Sequence, residues 1–264
     1  MGRRRVNISL PKGWGELSEA KLRFLFNAML AVDRATRNVR FDSREDYIEQ
    51  SAAQVRLLCF LDWSGIEPVC PYGSGYLLRR EGLEFALPFG TLASAASALS
   101  WISELPPEPV RISRVDGAEA VPADLASDFS FDNWLSCETM WQAYQASPDD
   151  SILVAMAEIL YRKPGIKPDP AETLGVFYWW AGVKNMVSAM FPDFFKLADS
   201  SGESSEGPDY DSMRRNMDSQ IRALTKGDIT KEKEVLGLNA LRALTELDAQ
   251  AREFDELNRK YPSK

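Results

Sequence analysis

Apolar residues recur at intervals of three and four along most of the chain, which is the spacing of helices that bury one face. Two shorter stretches differ. Residues 76–79 and 83–87 alternate around a turn and predict a β-hairpin, and residues 110–115 before Asp116 and Gly117 predict a second, smaller one. We therefore expect an α+β fold that is predominantly α-helical. The predicted helices cover residues 19–37, 44–62, 91–105, 131–146, 148–161, 170–191, 213–224 and 230–260.

Several of these helices begin at residues whose side chains suit a helix N-terminus. Ser43 stands three residues before Asp46, which resembles a capping box. Ser147 is followed by Pro148, a residue favoured at the first helical position, and Asp169 precedes another proline in the same way. We expect Ser18, Ser43, Ser147 and Asp169 to cap their helices.

Breaks in the pattern divide the chain into parts. Residues 105–109 (LPPEP) close the first stretch, and residues 200–208 (SSGESSEGP) have the composition of a flexible linker. Residues 6–10 alternate weakly and predict a short strand. The predicted parts are a small mixed α+β domain at residues 1–125, a helical middle domain at 126–199, a flexible linker at 200–210 and a C-terminal helical hairpin at 211–264.

Two apolar features are candidates for contact with another protein. The aromatic run at residues 177–180 is apolar on all faces, so Trp179 and Trp180 are either core residues or, if exposed, part of a partner surface. The last helix carries a stripe with regular 4-3 spacing, which suits packing on the helix at 213–224 or docking on another chain. The stripe consists of Ala240, Leu244, Leu247, Ala251, Phe254, Asn258 and Tyr261.

Within that stripe, Leu244, Leu247 and Phe254 are the residues that we expect to contact a partner. Asp248 and Asp255 flank them, and we expect these two carboxylates to tune the choice of partner.

The composition excludes several kinds of chemistry. The chain has no histidine, so it has neither a serine or cysteine nucleophile paired with histidine nor a histidine-ligated zinc site. Its three cysteines, Cys59, Cys70 and Cys137, are too far apart for a CxxC motif and fit a reducing compartment. Residues 73–75 (GSG) lack the third glycine of a dinucleotide-binding motif. We therefore expect a protein that binds no cofactor and is not an enzyme.

Two alternatives remain open at this point. Asp124, Asp128 and Asp132 recur at intervals of four, and carboxylates alone can bind a divalent cation. This spacing leaves a metal-dependent enzyme as an alternative. Arginines at residues 3–5 and 79–80 leave a weak nucleic-acid-associated role as another, although the net charge of −8 argues against broad phosphate binding.

The longest apolar stretch, residues 174–183, is shorter than the roughly 20 residues needed to span a bilayer. The basic start of the chain is not followed by the apolar segment of a secretory signal. We expect no membrane association and a cytoplasmic location.

Four stretches together resemble a family of uncharacterised proteins encoded in the tail-morphogenesis regions of bacterial siphophages and prophages. They are LPKGWGELS (10–18), PVRISR (109–114), AMAEILY (155–161) and LTKGDITKEK (224–233). The resemblance implies a non-enzymatic phage assembly protein, either a tail assembly chaperone or a minor tail component. The implied partner is a tape-measure or tail protein, or a second copy of the chain, in the host cytoplasm or in the virion. No catalytic role comes with the resemblance.

Overall fold

The computed structural model describes residues 8–200 and 210–261, with side chains described at residues 8–196 and 214–261. Within these ranges the chain is predominantly α-helical with two small antiparallel sheets, which confirms the predicted α+β class. It forms two compact units. The first comprises Met1–Pro106 and Pro170–Gly175, and the second comprises Pro107–Asp169 and Val176–Lys264.

In the first unit, helices α1 and α2 begin where their caps predict. The Ser18 side chain accepts a hydrogen bond from the backbone N–H of Lys21, and that of Ser43 accepts one from Asp46. Helix α2 ends at Gly65, which takes the left-handed conformation that favours glycine. The elements of this unit are α1 (Glu19–Thr36), α2 (Arg44–Ser64), β1 (Glu67–Tyr72), β2 (Gly75–Arg80), β3 (Leu83–Pro88) and α3 (Phe89–Ala96), with 3-10 helices at Trp14–Glu16 and Ser97–Ser103.

Strands β2 and β3 form the predicted hairpin, and β1 extends it to an antiparallel sheet of order β1-β2-β3. Strand β1 did not show in the pattern because it contains Pro68 and Pro71 and is exposed along its whole length. Gly75 opens β2 where a Cβ would lie 1.9 Å from the carbonyl oxygen of Leu87, so only glycine fits. The predicted helix at 91–105 is α3 followed by the 3-10 helix, with a kink at Leu99.

The second unit contains most of the long helices. The predicted second hairpin is confirmed as a pair of two-residue strands, β4 and β5. The elements are β4 (Arg114–Val115), β5 (Ala118–Glu119), α4 (Phe131–Ala146), α5 (Asp150–Leu160), α6 (Pro170–Met190, whose residues 170–175 belong to the first unit), α7 (Pro192–Ser200), α8 (Tyr210–Thr225), α9 (Glu232–Leu236) and α10 (Ala240–Lys260), with a 3-10 helix at Ile229–Lys231.

Two helix starts in this unit differ from the prediction. Helix α5 is capped by Asp149, whose carboxylate accepts the N–H of Ser151 at 2.8 Å, and not by Ser147. The predicted helix at 230–260 is broken before Asn239, which caps α10. The break has a tertiary cause, because the segment around Asn239 forms a β-bridge with Ser130 at the start of α4.

The structure groups the predicted middle domain and hairpin together in the second unit, and it places residues 107–125 there as well. That the parts on either side of residues 125 and 199 fold independently of each other stays a prediction. The predicted linker falls mainly on residues 201–209, which lie outside the described residues. Of the predicted strand at 6–10, residues 8–10 form no strand, and the rest lies outside the described residues.

Candidate functional site

The apolar stripe of α10 passes from the core to the surface partway along the helix. Its first four members, Ala240, Leu244, Leu247 and Ala251, are buried, because α10 packs on α7, α4 and α8. Beyond them, Phe254 is 54% exposed and Tyr261 is 76% exposed. Leu257 lies between them on the same side of the helix and is 56% exposed. We call Phe254, Leu257 and Tyr261 the α10 docking face.

A cleft of about 450 Å³ adjoins the docking face, and Phe254 lines both. Its walls come from α4, α7, α8 and α10, and α6 contributes one lysine. The volume is within the range of sites that hold a small ligand or a few side chains of a partner. The lining is Trp134, Glu138, Gln142, Lys184, Phe194, Phe195, Asn216, Ser219, Gln220, Ala223, Leu247, Gln250, Ala251 and Phe254.

The charged groups of the cleft are paired with each other. Lys184 Nζ lies 2.7 Å from Glu138 Oε1, and both side chains are mostly buried. The same ammonium lies 4.9 Å from the ring centroid of Phe195 and 5.8 Å from that of Trp134, which adds cation–π attraction. Because its positive charge is already compensated, the cleft offers an amphipathic surface and not a strongly charged pocket.

Helix α7 carries Phe194 and Phe195 into the cleft and is held by a side chain from α10. Asp248 Oδ1 accepts the backbone N–H groups of Asp193 at 2.9 Å and Phe194 at 3.0 Å. Arg252 binds both Asp248 and Asp193, at 2.8 and 3.0 Å. The pKa of Asp193 is lowered chiefly by the hydrogen bond from Arg252, while desolvation acts in the opposite direction and partly raises it.

This arrangement corrects the prediction that Asp248 tunes partner choice. Asp248 is 4% exposed and caps α7 from a neighbouring helix, so it is not available to a partner. It lies next to Leu247 and one turn after Leu244, on the side of α10 that is buried. Asp255 is partly exposed and lies about 100° around the helix from Phe254, outside the docking face, so its role in partner choice stays a prediction.

The two candidate tryptophans do not meet the condition of exposure under which a partner role was predicted. Both are 0% exposed. The Trp179 indole N–H donates to the carbonyl oxygen of Ala123 at 2.9 Å. The Trp180 ring packs between Phe129 and Trp134, with centroid distances of 6.4 and 5.3 Å. Both rings belong to the core of the second unit.

Of the predicted contact residues, Phe254 is the one that the structure leaves on the surface, since Leu244 is 0% and Leu247 is 5% exposed. Leu247 nevertheless lines the cleft. Sequence analysis missed Leu257, which is off the 4-3 spacing but follows Phe254 by one helical turn. It also missed Glu138 and Lys184, whose 46-residue separation gives no local signal.

The three aspartates of the metal alternative are not on one helix face. Asp124 and Asp128 lie in the loop before α4, and only Asp132 is helical. Asp124 accepts the N–H of Ala126, and Asp128 has a left-handed backbone. Among the described side chains, at residues 8–196 and 214–261, no group of three or more cysteine, aspartate or glutamate residues is placed to hold a metal ion.

The described arginines of the nucleic-acid alternative have acidic neighbours. Arg79 binds Glu84 at 2.7 Å, and Arg80 lies 3.5 Å from Glu81. Residues 3–5 lie outside the described residues.

Comparisons with protein-family models, with curated proteins and with solved structures find no match to this chain. In the part of the chain that the structure describes, no helix is both long enough and apolar enough to cross a membrane.

Proposed function

We propose that this chain is a non-enzymatic phage or prophage assembly protein, a tail assembly chaperone or minor tail component, that binds a helix of another phage protein. The contact surface is the α10 docking face together with the adjoining cleft. The observation that carries the proposal is the exposure of Phe254, Leu257 and Tyr261 at the end of a stripe whose first half is core.

The exposed apolar area is large enough to matter for binding. Side chains of this size present about 150–250 Å² each, so the exposed fractions amount to roughly 300–400 Å². This is within the size of the largest apolar patch on a typical monomer, about 300–600 Å², and such patches are often functional. At about 25 cal/mol per Å², its burial would contribute roughly 8–10 kcal/mol, which is comparable to the cost of association.

A helical partner suits both the shape and the chemistry of this surface. Amphipathic helices bind by placing apolar side chains at intervals of three and four into a groove. The cleft supplies aromatic walls, with Phe194 and Phe195 opposite α10, for one or two such anchors. A tape-measure protein, which is a long helical chain before the tail tube forms around it, provides a repeating surface of this kind. The interaction would take place in the host cytoplasm.

The test is co-expression with the tape-measure protein encoded in the same phage region, followed by measurement of its soluble fraction. We expect the wild-type chain to raise that fraction several-fold and the variant Phe254→Asp with Leu257→Asp to abolish the increase. Both side chains are more than half exposed, so the variant should keep the helical circular-dichroism spectrum of the wild type.

The matched control is Glu256→Ala, because Glu256 is exposed on the same helix and points away from the docking face. It should protect the tape-measure protein as well as the wild type does. Equal tape-measure solubility with the wild type, with the double variant and without the chain would refute the proposed function.

A further inference from the structure

Two oxygen atoms of side chains that line the cleft have no hydrogen-bond partner. Glu138 Oε1 accepts from Lys184 Nζ at 2.7 Å and from Gln142 Nε2 at 3.3 Å, so both donors go to one oxygen of the carboxylate. The other oxygen, Oε2, is buried and has no partner among the described residues, and the same holds for Gln220 Oε1 on α8. An ionised carboxylate oxygen can only accept, and buried polar atoms are normally paired. The cleft therefore lacks hydrogen-bond donors at two places.

We propose that the cleft binds the guanidinium group of an arginine that the helical partner presents. The inference rests on the proposed function for the partner and adds the type of residue that anchors it. A guanidinium has five N–H donors in one plane, so it can supply both Glu138 Oε2 and Gln220 Oε1. Its hydrogen bonds to a carboxylate are charge-assisted, which makes them about twice as strong as neutral ones. The last torsions of glutamate and glutamine are broad, so a small rotation turns either oxygen into the cleft.

The aromatic residues of the cleft suit the same group. Phe194 and Phe195 from α7 and Phe254 from α10 line it. Their rings can stack on the flat guanidinium and contact the aliphatic stem of the arginine. Phe195 already has a cation beside it, because Lys184 Nζ lies 4.9 Å from the centroid of its ring. The ammonium of a lysine is more strongly hydrated and cannot stack, so we expect arginine to bind better than lysine.

The charge of Lys184 does not prevent a second cation from binding at Glu138 Oε2. Lys184 pairs with Oε1, so a cation hydrogen-bonded to Oε2 lies closer to the carboxylate than to the ammonium, and Coulomb attraction exceeds repulsion. The net charge of −8 acts in the same direction, because it attracts positively charged ligands to the chain. A neutral amide would supply donors but would gain from neither effect.

The test is an NMR titration of the full chain with acetyl-arginine amide, followed at the backbone amide signals of residues that line the cleft. We expect saturable binding with a dissociation constant of roughly 1–10 mM, as suits a ligand of this size. The corresponding lysine, glutamine and norleucine amides should bind at least about fivefold more weakly. The same arginine in an alanine-based helical peptide should bind at least as tightly. Loss of binding in the peptide would mean that the cleft takes a free small molecule, and would overturn the assignment to a helical partner.

Two variants remove the acceptors. Glu138→Gln with Lys184→Met removes the carboxylate without leaving a buried ammonium unpaired, and should weaken arginine binding at least about fivefold. Gln220→Met removes the second acceptor at nearly constant size and should weaken it about threefold or more. The matched control is Asp218→Asn, which removes a negative charge from an exposed residue of α8 and should bind arginine like the wild type. The circular-dichroism spectrum and the urea midpoint check that each variant folds.

Three results would overturn the inference: no binding of arginine, equal binding of the lysine, glutamine or norleucine amide, or unchanged arginine binding by either folded acceptor variant. A chain that does not bind arginine but still keeps the tape-measure protein soluble would remove the arginine site and leave the proposed function. Arginine binding of the expected dependence without such protection would do the opposite.

Discussion

The cap that Asp248 places on α7 allows a quantitative prediction, because one side chain holds two backbone donors. Asp248→Ala removes the oxygen that accepts the N–H groups of Asp193 and Phe194 at 2.9 and 3.0 Å. The site is nearly closed, with Asp248 4% exposed, so water replaces the carboxylate poorly. Helix α7 would then start with unpaired donors beside the cleft.

The magnitude follows from two contributions. Loss of a capping side chain costs about 1 kcal/mol, within a range of 0.5–2. Leaving a further buried donor without its charged acceptor costs about 1–3 kcal/mol. We therefore expect Asp248→Ala to lower the free energy of unfolding by about 2–4 kcal/mol. The measurement is urea unfolding, read as a shift in the midpoint at unchanged slope.

Asp248→Asn is the matched control. The amide keeps an oxygen that can cap α7 but loses the ion pair with Arg252, whose side chain is 58% exposed. Exposed ion pairs contribute at most about 1 kcal/mol, so Asp248→Asn should cost no more than that. If Asp248→Ala and Asp248→Asn both left the free energy of unfolding within about 0.5 kcal/mol of the wild type, a value within the usual range for surface substitutions, the capping argument would be refuted.

The same contact gives a pH dependence through Asp193. Arg252 holds the pKa of Asp193 below its ordinary value, so Arg252→Gln should raise that pKa, as measured by NMR titration of the carboxyl. A carboxyl with a lowered pKa in the folded state stabilises the fold above its unfolded pKa of about 4. That contribution disappears as the pH falls through the folded-state pKa. The difference in stability between the wild type and Arg252→Gln should therefore shrink below about pH 4.

Two further predictions concern the thiols and one glycine. Cys70 is exposed, while Cys59 and Cys137 are buried and burial raises the pKa of the Cys59 thiol to about 12. A disulfide reagent should therefore label one thiol rapidly in the native chain and three in denaturant, and a second rapidly labelled native thiol would contradict this. Gly182→Ala places a Cβ 2.5 Å from a backbone carbonyl oxygen and should lower the free energy of unfolding by about 1–3 kcal/mol. The control is Gly90→Ala, whose Cβ meets nothing within 4 Å and which lies in a helix, so it should be neutral or stabilising. Equal urea midpoints for the two variants would argue against the close contact at Gly182.

Local rules predicted the helices whose ends are set by neighbouring residues. Ser18 and Ser43 cap α1 and α2 as expected because the donor and acceptor lie within three residues of each other. Helix α4 spans the predicted residues 131–146 for the same reason, with Ser130 accepting the N–H of Asn133. In each case the information that ends or starts the helix is contained in one turn.

The errors occur where distant residues decide the local structure. The start of α10 depends on a β-bridge between Asn239 and Ser130, which are separated by more than a hundred residues. The burial of Asp248 depends on the unpaired donors of α7, which no pattern within α10 reveals. The ion pair between Glu138 and Lys184 likewise joins two residues that are far apart in the sequence. A periodicity identifies an apolar face but not the element that covers it.

The α10 stripe shows why that distinction matters for function. The repeat predicts one continuous face from Ala240 to Tyr261, and by spacing alone every position is equivalent. Among the residues that the structure describes, the stripe is buried as far as Ala251 and exposed beyond it. If the stripe served packing alone, its apolar residues would have no reason to continue past that point. Phe254 and Tyr261 are therefore the apolar part of the sequence pattern that the described fold leaves exposed, and the proposed contact with another chain would account for them.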